Sequence, residues 1–182
     1  MEYLKDDEKY IVKKIHKIAA TQSLITLLLK IIIFVAVIYL IFTYVFGFTN
    51  MSGLSMYPRI SDSDLVLYYR LEDKIKTGDI VVFDKNNKEY VLRVIGTSGQ
   101  TIDIDNDGNL ILDGHVVDEK IVYKTYKDKN SDIQFPYQVP EGEYFVLGDF
   151  RMSSVDSRNF GAIKKDQIKG TVINLLRSRD LW

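Results

Sequence analysis

Ser52-Gly53-Leu54-Ser55-Met56-Tyr57-Pro58 sits at the change from one kind of sequence to another. Before it, Ile31 to Phe48 is an uncharged apolar run of roughly 18 residues, long enough to cross a hydrocarbon layer about 30 Å thick as a helix. Leu24 to Leu29 lengthen the run, with Lys30 placed to snorkel toward an interface. Lys5, Lys9, Lys13, Lys14 and Lys17 precede it, and the next basic residue after it is Arg59. That asymmetry predicts a cytoplasmic N-terminus and an exported remainder. A cleaved signal peptide is the alternative. It fits worse, because the run exceeds the usual 7–15 residues and no small-x-small site comes after it. The expected layout is a cytoplasmic segment over 1–23, an anchor over 24–48 and an extracytoplasmic domain over 49–182.

Beyond Pro58 the apolar residues come in short β-branched and aromatic pieces. Asp64 to Tyr69, Asp79 to Asp84 and Glu89 to Ile95 read as strands, separated by turn residues such as Thr77-Gly78 and Asn86-Asn87. Thr101 to Ile104 and Leu110 to Leu112 flank Asn106-Asp107-Gly108-Asn109, a hairpin signal. Tyr144 to Leu147 and Gly170 to Leu176 complete the set. The fold class expected is mainly β: a single N-terminal transmembrane helix followed by an antiparallel domain, as a barrel or closed sheet. The polar stretch Tyr123 to Gln134, with Lys124, Lys127, Asp128, Lys129, Asn130 and Asp132, reads as an exposed loop.

Composition narrows the function. The 182 residues carry a net charge of −1, which offers no global field for nucleic acid. The absence of cysteine excludes disulfides, thiolate zinc sites and cysteine-protease chemistry. No metal-ligand cluster or phosphate-binding glycine loop is seen, and no cofactor is expected. What remains is the Ser55 loop. A serine hydroxyl attacks a carbonyl only when a base takes its proton and N–H donors receive the developing oxyanion. Gly53 frees the loop backbone, the Ser55 N–H suits an oxyanion hole, and Pro58 stiffens the exit.

Two further stretches give this loop a context: Tyr90-Val91-Leu92-Arg93-Val94-Ile95-Gly96, and Gly148-Asp149-Phe150-Arg151-Met152-Ser153-Ser154-Val155-Asp156-Ser157-Arg158-Asn159-Phe160-Gly161. In this order the three resemble the signature boxes of the type I signal peptidases of the short Gram-positive kind, membrane-anchored serine endopeptidases working with a Ser/Lys pair. The resemblance covers about residues 25 to 175. It implies that Ser55 is the nucleophile in a loop with Gly53, Met56 and Pro58. It implies that Ser154 holds the general-base amine, that Asp156 and Arg158 form a charge pair, and that Asp149 and Arg151 belong to the same scaffold. It also implies preprotein substrates with small residues at −3 and −1. The family's lysine stands directly before Arg93, and here that position is Leu92. Smaller departures are Arg59 for threonine, Ser98-Gly99-Gln100 for Pro-Gly-Asp, and Phe150 for asparagine. Self-cleaving repressors of the LexA type have a similar β-fold, but they lack an anchor and also need the lysine.

Leucine has no lone pair to accept a proton, and the Arg93 guanidinium stays protonated. Lys88 shares a strand face with Leu92 but lies four residues off, about 13 Å along a strand. His16 precedes the anchor, and His115 lies beside a distant turn. General-base assistance is worth about 10²–10⁴-fold, so the expectation is an impaired or inactive hydrolase. The resemblance supports two functions: signal-peptide removal at the membrane, or an accessory without catalysis that binds a pilin or sortase during pilus assembly. A drifting paralogue is the third possibility.

Overall fold

A computed structural model describes residues 2–119, 121, 123–128 and 130–177. Lys129, and the side chains of Lys5, Lys9 and Lys17, lie outside the described residues. The chain divides into two compact units, residues 1–44 and 45–182.

The first unit is one helix, α1 (Glu2–Tyr44). Its segment Ala19–Tyr44 is long and apolar enough to cross a membrane, with a mean hydropathy of 3.0. The apolar run outlasts the helix. Phe46, Gly47 and Phe48, expected to close the anchor, instead open a strand, β1 (Phe46–Asn50). Glycine disfavours helix, and here the lack of a Cβ has a packing reason: one on Gly47 would collide with the Tyr68 ring. β1 pairs antiparallel with β2 (Leu65–Tyr69), Phe46 opposite Tyr69.

The second unit holds β1 and β2 with β3 (Ile80–Lys85), β4 (Lys88–Thr97), β5 (Thr101–Ile104), β6 (Leu110–Leu112), β7 (His115–Val116), β8 (Tyr137–Gln138), β9 (Glu143–Leu147), β10 (Ile163–Lys164) and β11 (Ile168–Leu176). The one α-helix in it, among the described residues, is the single turn α2 (Ser157–Phe160). Seven strands form a sheet in the order β1-β2-β11-β3-β4-β9-β10, and four form a second in the order β7-β6-β5-β8. All pairings are antiparallel among the described residues. The mainly-β, antiparallel expectation holds. Among the described residues the strand order runs from β1 to β10 in one sheet and from β7 to β8 in the other, without the closure expected of a barrel or closed sheet.

β4 organises this unit. Val91, Leu92 and Val94 belong to one buried cluster, with Met56, Ile60, Val81 and Phe83, while Ile95 belongs to a second with Ile102, Phe145 and Leu147. Successive residues of a strand point to opposite faces, which sends Val94 and Ile95 into different cores. The pairing with β9 also shifts register between Val94 and Gly96, as at a bulge. The polar stretch Tyr123 to Gln134 is pinned more firmly than an exposed loop. Thr125 is buried and bonded to Arg151, and the Tyr126 carbonyl accepts from Arg158.

Phe83 is fully buried and stacks on Tyr90 at 5.4 Å between ring centroids. Truncation, Phe83→Ala, should remove about 3–5 kcal/mol of stability, read from denaturant unfolding of the micelle-bound chain.

Candidate active site

Burial of the residues C-terminal to Ser55 anchors its loop. Met56 and Ile60 are both fully buried, and the Arg59 and Ile60 N–H groups donate to the Met56 carbonyl at 3.0 Å. Burying a methionine of this size contributes about 1.5–3 kcal/mol. On the other side Gly53 adopts φ +85°, a region closed to most side chains, while its N–H donates to Asp62 Oδ1 at 2.7 Å. The Tyr57–Pro58 peptide bond is cis. The loop therefore presents Ser55 half-buried, its carbonyl accepting from the Phe150 N–H at 2.9 Å. Neither the Ser55 hydroxyl nor its N–H is engaged in a hydrogen bond among the described residues.

The second side of the site comes from β4 and the segment after β9. Arg93 pairs with Leu147, and the next step of that antiparallel register brings Leu92 beside Gly148. Leu92 is fully buried in the larger core. A Cβ on Gly148 would collide with the Ser154 hydroxyl and lie 2.6 Å from the Ser55 carbonyl oxygen, so only glycine admits this approach. Ser55 and Ser154 thus meet around Gly148, the residue that follows the Arg93–Leu147 pair. The Ser154 hydroxyl oxygen is buried and has no hydrogen-bond partner. A buried hydroxyl in that state costs roughly 1–3 kcal/mol.

Three ion pairs hold the surrounding backbone. Arg93 donates through Nε and Nη2 to the two Asp149 oxygens at 2.8 and 2.7 Å, and through Nη1 to the Gly78 carbonyl. Arg151, its side chain fully buried, donates to the Glu119 carboxylate at 2.9 and 2.5 Å and to the Gly148 carbonyl at 2.8 Å. Asp156, fully buried, accepts from Arg158 Nε and Nη2, each at 2.9 Å, and from the Gly148 N–H at 3.1 Å. Asp156 also caps α2, which Gly161 ends at φ +75°. Sequence reasoning missed Glu119 as the partner of Arg151, because 32 positions and an irregular segment separate the two.

Ser55 opens into a cavity of about 360 Å³, lined on one side by Asn50 to Ser55 and on the other by Lys88 to Val91. On its β9 side β4 is paired only from Arg93 onward, so residues 88–92 carry an open edge facing this space. Lys88 lies in the same cavity, exposed, with its ammonium over the Tyr90 ring. Burial is what makes a lysine amine a base, and Lys88 lacks it. His115 is exposed in the other sheet and His16 is on α1; neither lines the cavity.

The site is a half-buried serine on a loop beside a strand edge, in a β unit that comes after an apolar helix. A family model described as signal peptidase, peptidase S26, matches residues 24–176, and the chain belongs to that family. It is 33% identical to signal peptidase I S of Bacillus subtilis, over 87% of this chain and 91% of that protein. With signal peptidase I of Bacillus caldolyticus the identity is 39%, over 76% and 85%. A crystal structure of a signal peptidase I from Enterococcus faecalis is 30% identical, covering 56% of this chain and 98% of that one at a TM-score of 0.44.

Two substitutions separate framework from idle group. Asp156→Ala strands the Arg158 guanidinium in a buried setting and should cost about 3–5 kcal/mol in denaturant unfolding. Ser154→Ala removes a hydroxyl that has no partner, and the midpoint should stay or rise, by up to ~1 kcal/mol.

Proposed function

We propose that this chain is a membrane-anchored member of the signal peptidase family that binds signal-peptide-bearing preproteins in the Ser55 cavity but hydrolyses them poorly, because Leu92 stands where the base belongs. The N-terminal segment over 1–23 is cytoplasmic, α1 from residue 24 to Tyr44 carries the anchor, and the β unit works outside the plasma membrane. An extended peptide adds to the open edge of β4, residues 88–92, and brings a carbonyl against Ser55. Ser55 is the nucleophile and its free N–H a donor to the oxyanion.

The Ser154 hydroxyl carries this reading. Among the described residues it is buried without a partner, packed against Gly148, which directly follows Leu147, the partner of Arg93. That is the situation expected where a hydrogen-bonding partner has been replaced by an alkyl chain. A lysine at position 92 would give Ser154 its partner. Its burial would favour the neutral amine, which could then take the Ser55 proton. With leucine there, the proton has no nearby acceptor and attack is slow. A groove kept without its base is also what an accessory holding a pilin or a sortase would retain, so binding without cutting is the second form of the same reading.

Cleavage of a preprotein in liposomes separates the cases. Leu92→Lys should raise the rate about 10²-fold or more above the native chain, and Ser55→Ala should abolish that gain. Adding Ser154→Ala to Leu92→Lys should lower the rate again. A native chain that cuts at the Leu92→Lys rate would overturn the proposal and require a base elsewhere.

A further inference from the structure

The Ser55 cavity is lined by only two charged residues, Lys88 and Glu89, among the described residues, and they are not equivalent. Glu89 is already committed. Lys169 Nζ lies 2.6 Å from its Oε2, the Thr49 hydroxyl donates to its Oε1, and Lys169 also reaches Asp84 at 2.9 Å. The Lys169 ammonium is held above the usual lysine range by these bonds to Glu89 and Asp84. Lys88 makes no ion pair or hydrogen bond among the described residues; its ammonium rests over the Tyr90 ring, 5.2 Å from the centroid. Of the two charges lining the groove, Glu89 is held in an ion pair and Lys88 is not, among the described residues.

Its place is fixed by β4. Lys88, Tyr90 and Leu92 share one strand face. The next residue, Arg93, pairs with Leu147, Gly148 after it packs against Ser55, and Ser55 and Lys88 line the same cavity. Lys88 is four residues from Leu92, about 13 Å along the strand. A peptide extended on this edge advances by the same rise per residue. Its side chain about four positions from the attacked carbonyl therefore comes opposite the ammonium. In the reading proposed above, the recognised residues precede the cut, which puts −4 and −5 against Lys88.

We infer that Lys88 is a specificity-determining residue of the peptide groove, favouring an acidic side chain at −4 or −5 and disfavouring a basic one. This rests on the Ser55 cavity being the peptide site. The interaction lies at an exposed rim, where a charge pair is modest and screened by salt, so a change of a few-fold is the scale to expect.

The test is binding, which does not depend on a catalytic base. Fluorescein-labelled peptides with Ala at −3 and −1 carry Asp-Asp, Ala-Ala or Lys-Lys at −5 and −4, and anisotropy is measured with the full chain in detergent. At low salt the Asp-Asp peptide should bind about 3-fold or more tighter than the Lys-Lys peptide, and the difference should shrink at high salt. Lys88→Arg should keep the preference, Lys88→Gln should erase it, and Lys88→Glu should invert it. Equal affinities for the three peptides, or a preference that survives Lys88→Gln, would overturn the assignment while leaving the peptide site standing. Binding of no peptide would overturn both.

Discussion

Asp156 carries a carboxylate with almost no access to water, and its two oxygens are shared between Arg158 and the Gly148 N–H. An ion buried this way loses several kcal/mol of hydration, so it is tolerable only when its lone pairs are met. Meeting them closes the segment 148–158 on itself. The same Arg158 donates at 2.7 Å to the Arg151 carbonyl, and Arg151 in turn reaches Glu119. Gly148 is thus fixed by one oxygen of Asp156. Fixing Gly148 fixes the distance between Ser55, Ser154 and the end of the paired part of β4. The geometry of the candidate site depends on this one buried carboxylate more than on any residue in the Ser55 loop.

β4 supplies the complementary constraint. Residues 88–92 pair with β3, Arg93 with both β3 and β9, and Val94, Gly96 and Thr97 with β9. An open edge is normally a hazard, because any extended chain can complete it. Here the edge lies along a cavity walled on its other side by residues 50–55. The pairing with β9 shifts register between Val94 and Gly96, and the consecutive residues Val94 and Ile95 enter different cores.

Much of this fold is legible in the sequence, and the failures have physical causes. The runs around β2, β3, β4, β5, β6, β9 and β11 are readable because each has β-branched residues bounded by turn residues. β1 is not, since Phe46 and Phe48 continue an apolar run and only the pairing with β2 makes them strand. The two-residue strands β7, β8 and β10 exist through their neighbours alone and have no local signal. The Asp156–Arg158 contact is two residues long and comes from the resemblance. The Arg151–Glu119 contact joins segments with no periodic relation, so the sequence holds no signal for it. Along the strand Lys88 reads only as a distant base. Its position at the rim of the peptide cavity emerges once β4 and the Ser55 loop are seen to face each other.

The third box is retained almost whole beside a leucine that cannot act as a base, and the bonding pattern resolves that tension. Asp149 neutralises Arg93, Arg151 holds Glu119 and the Gly148 carbonyl, Asp156 holds Arg158, and the Ser157 hydroxyl accepts from the Val146 N–H. Each of these would leave a buried charge or amide unpaired if lost, so each is required by the fold whether or not a peptide is ever cut. Ser154 stands apart, because its buried hydroxyl bonds to nothing. The motif as a whole is therefore a statement about stability. Among the described residues Ser55, with its unused hydroxyl and N–H, and Ser154, with its unmet one, make no side-chain bond that accounts for their polarity. They are the two residues through which the chemistry, or its loss, has to be judged.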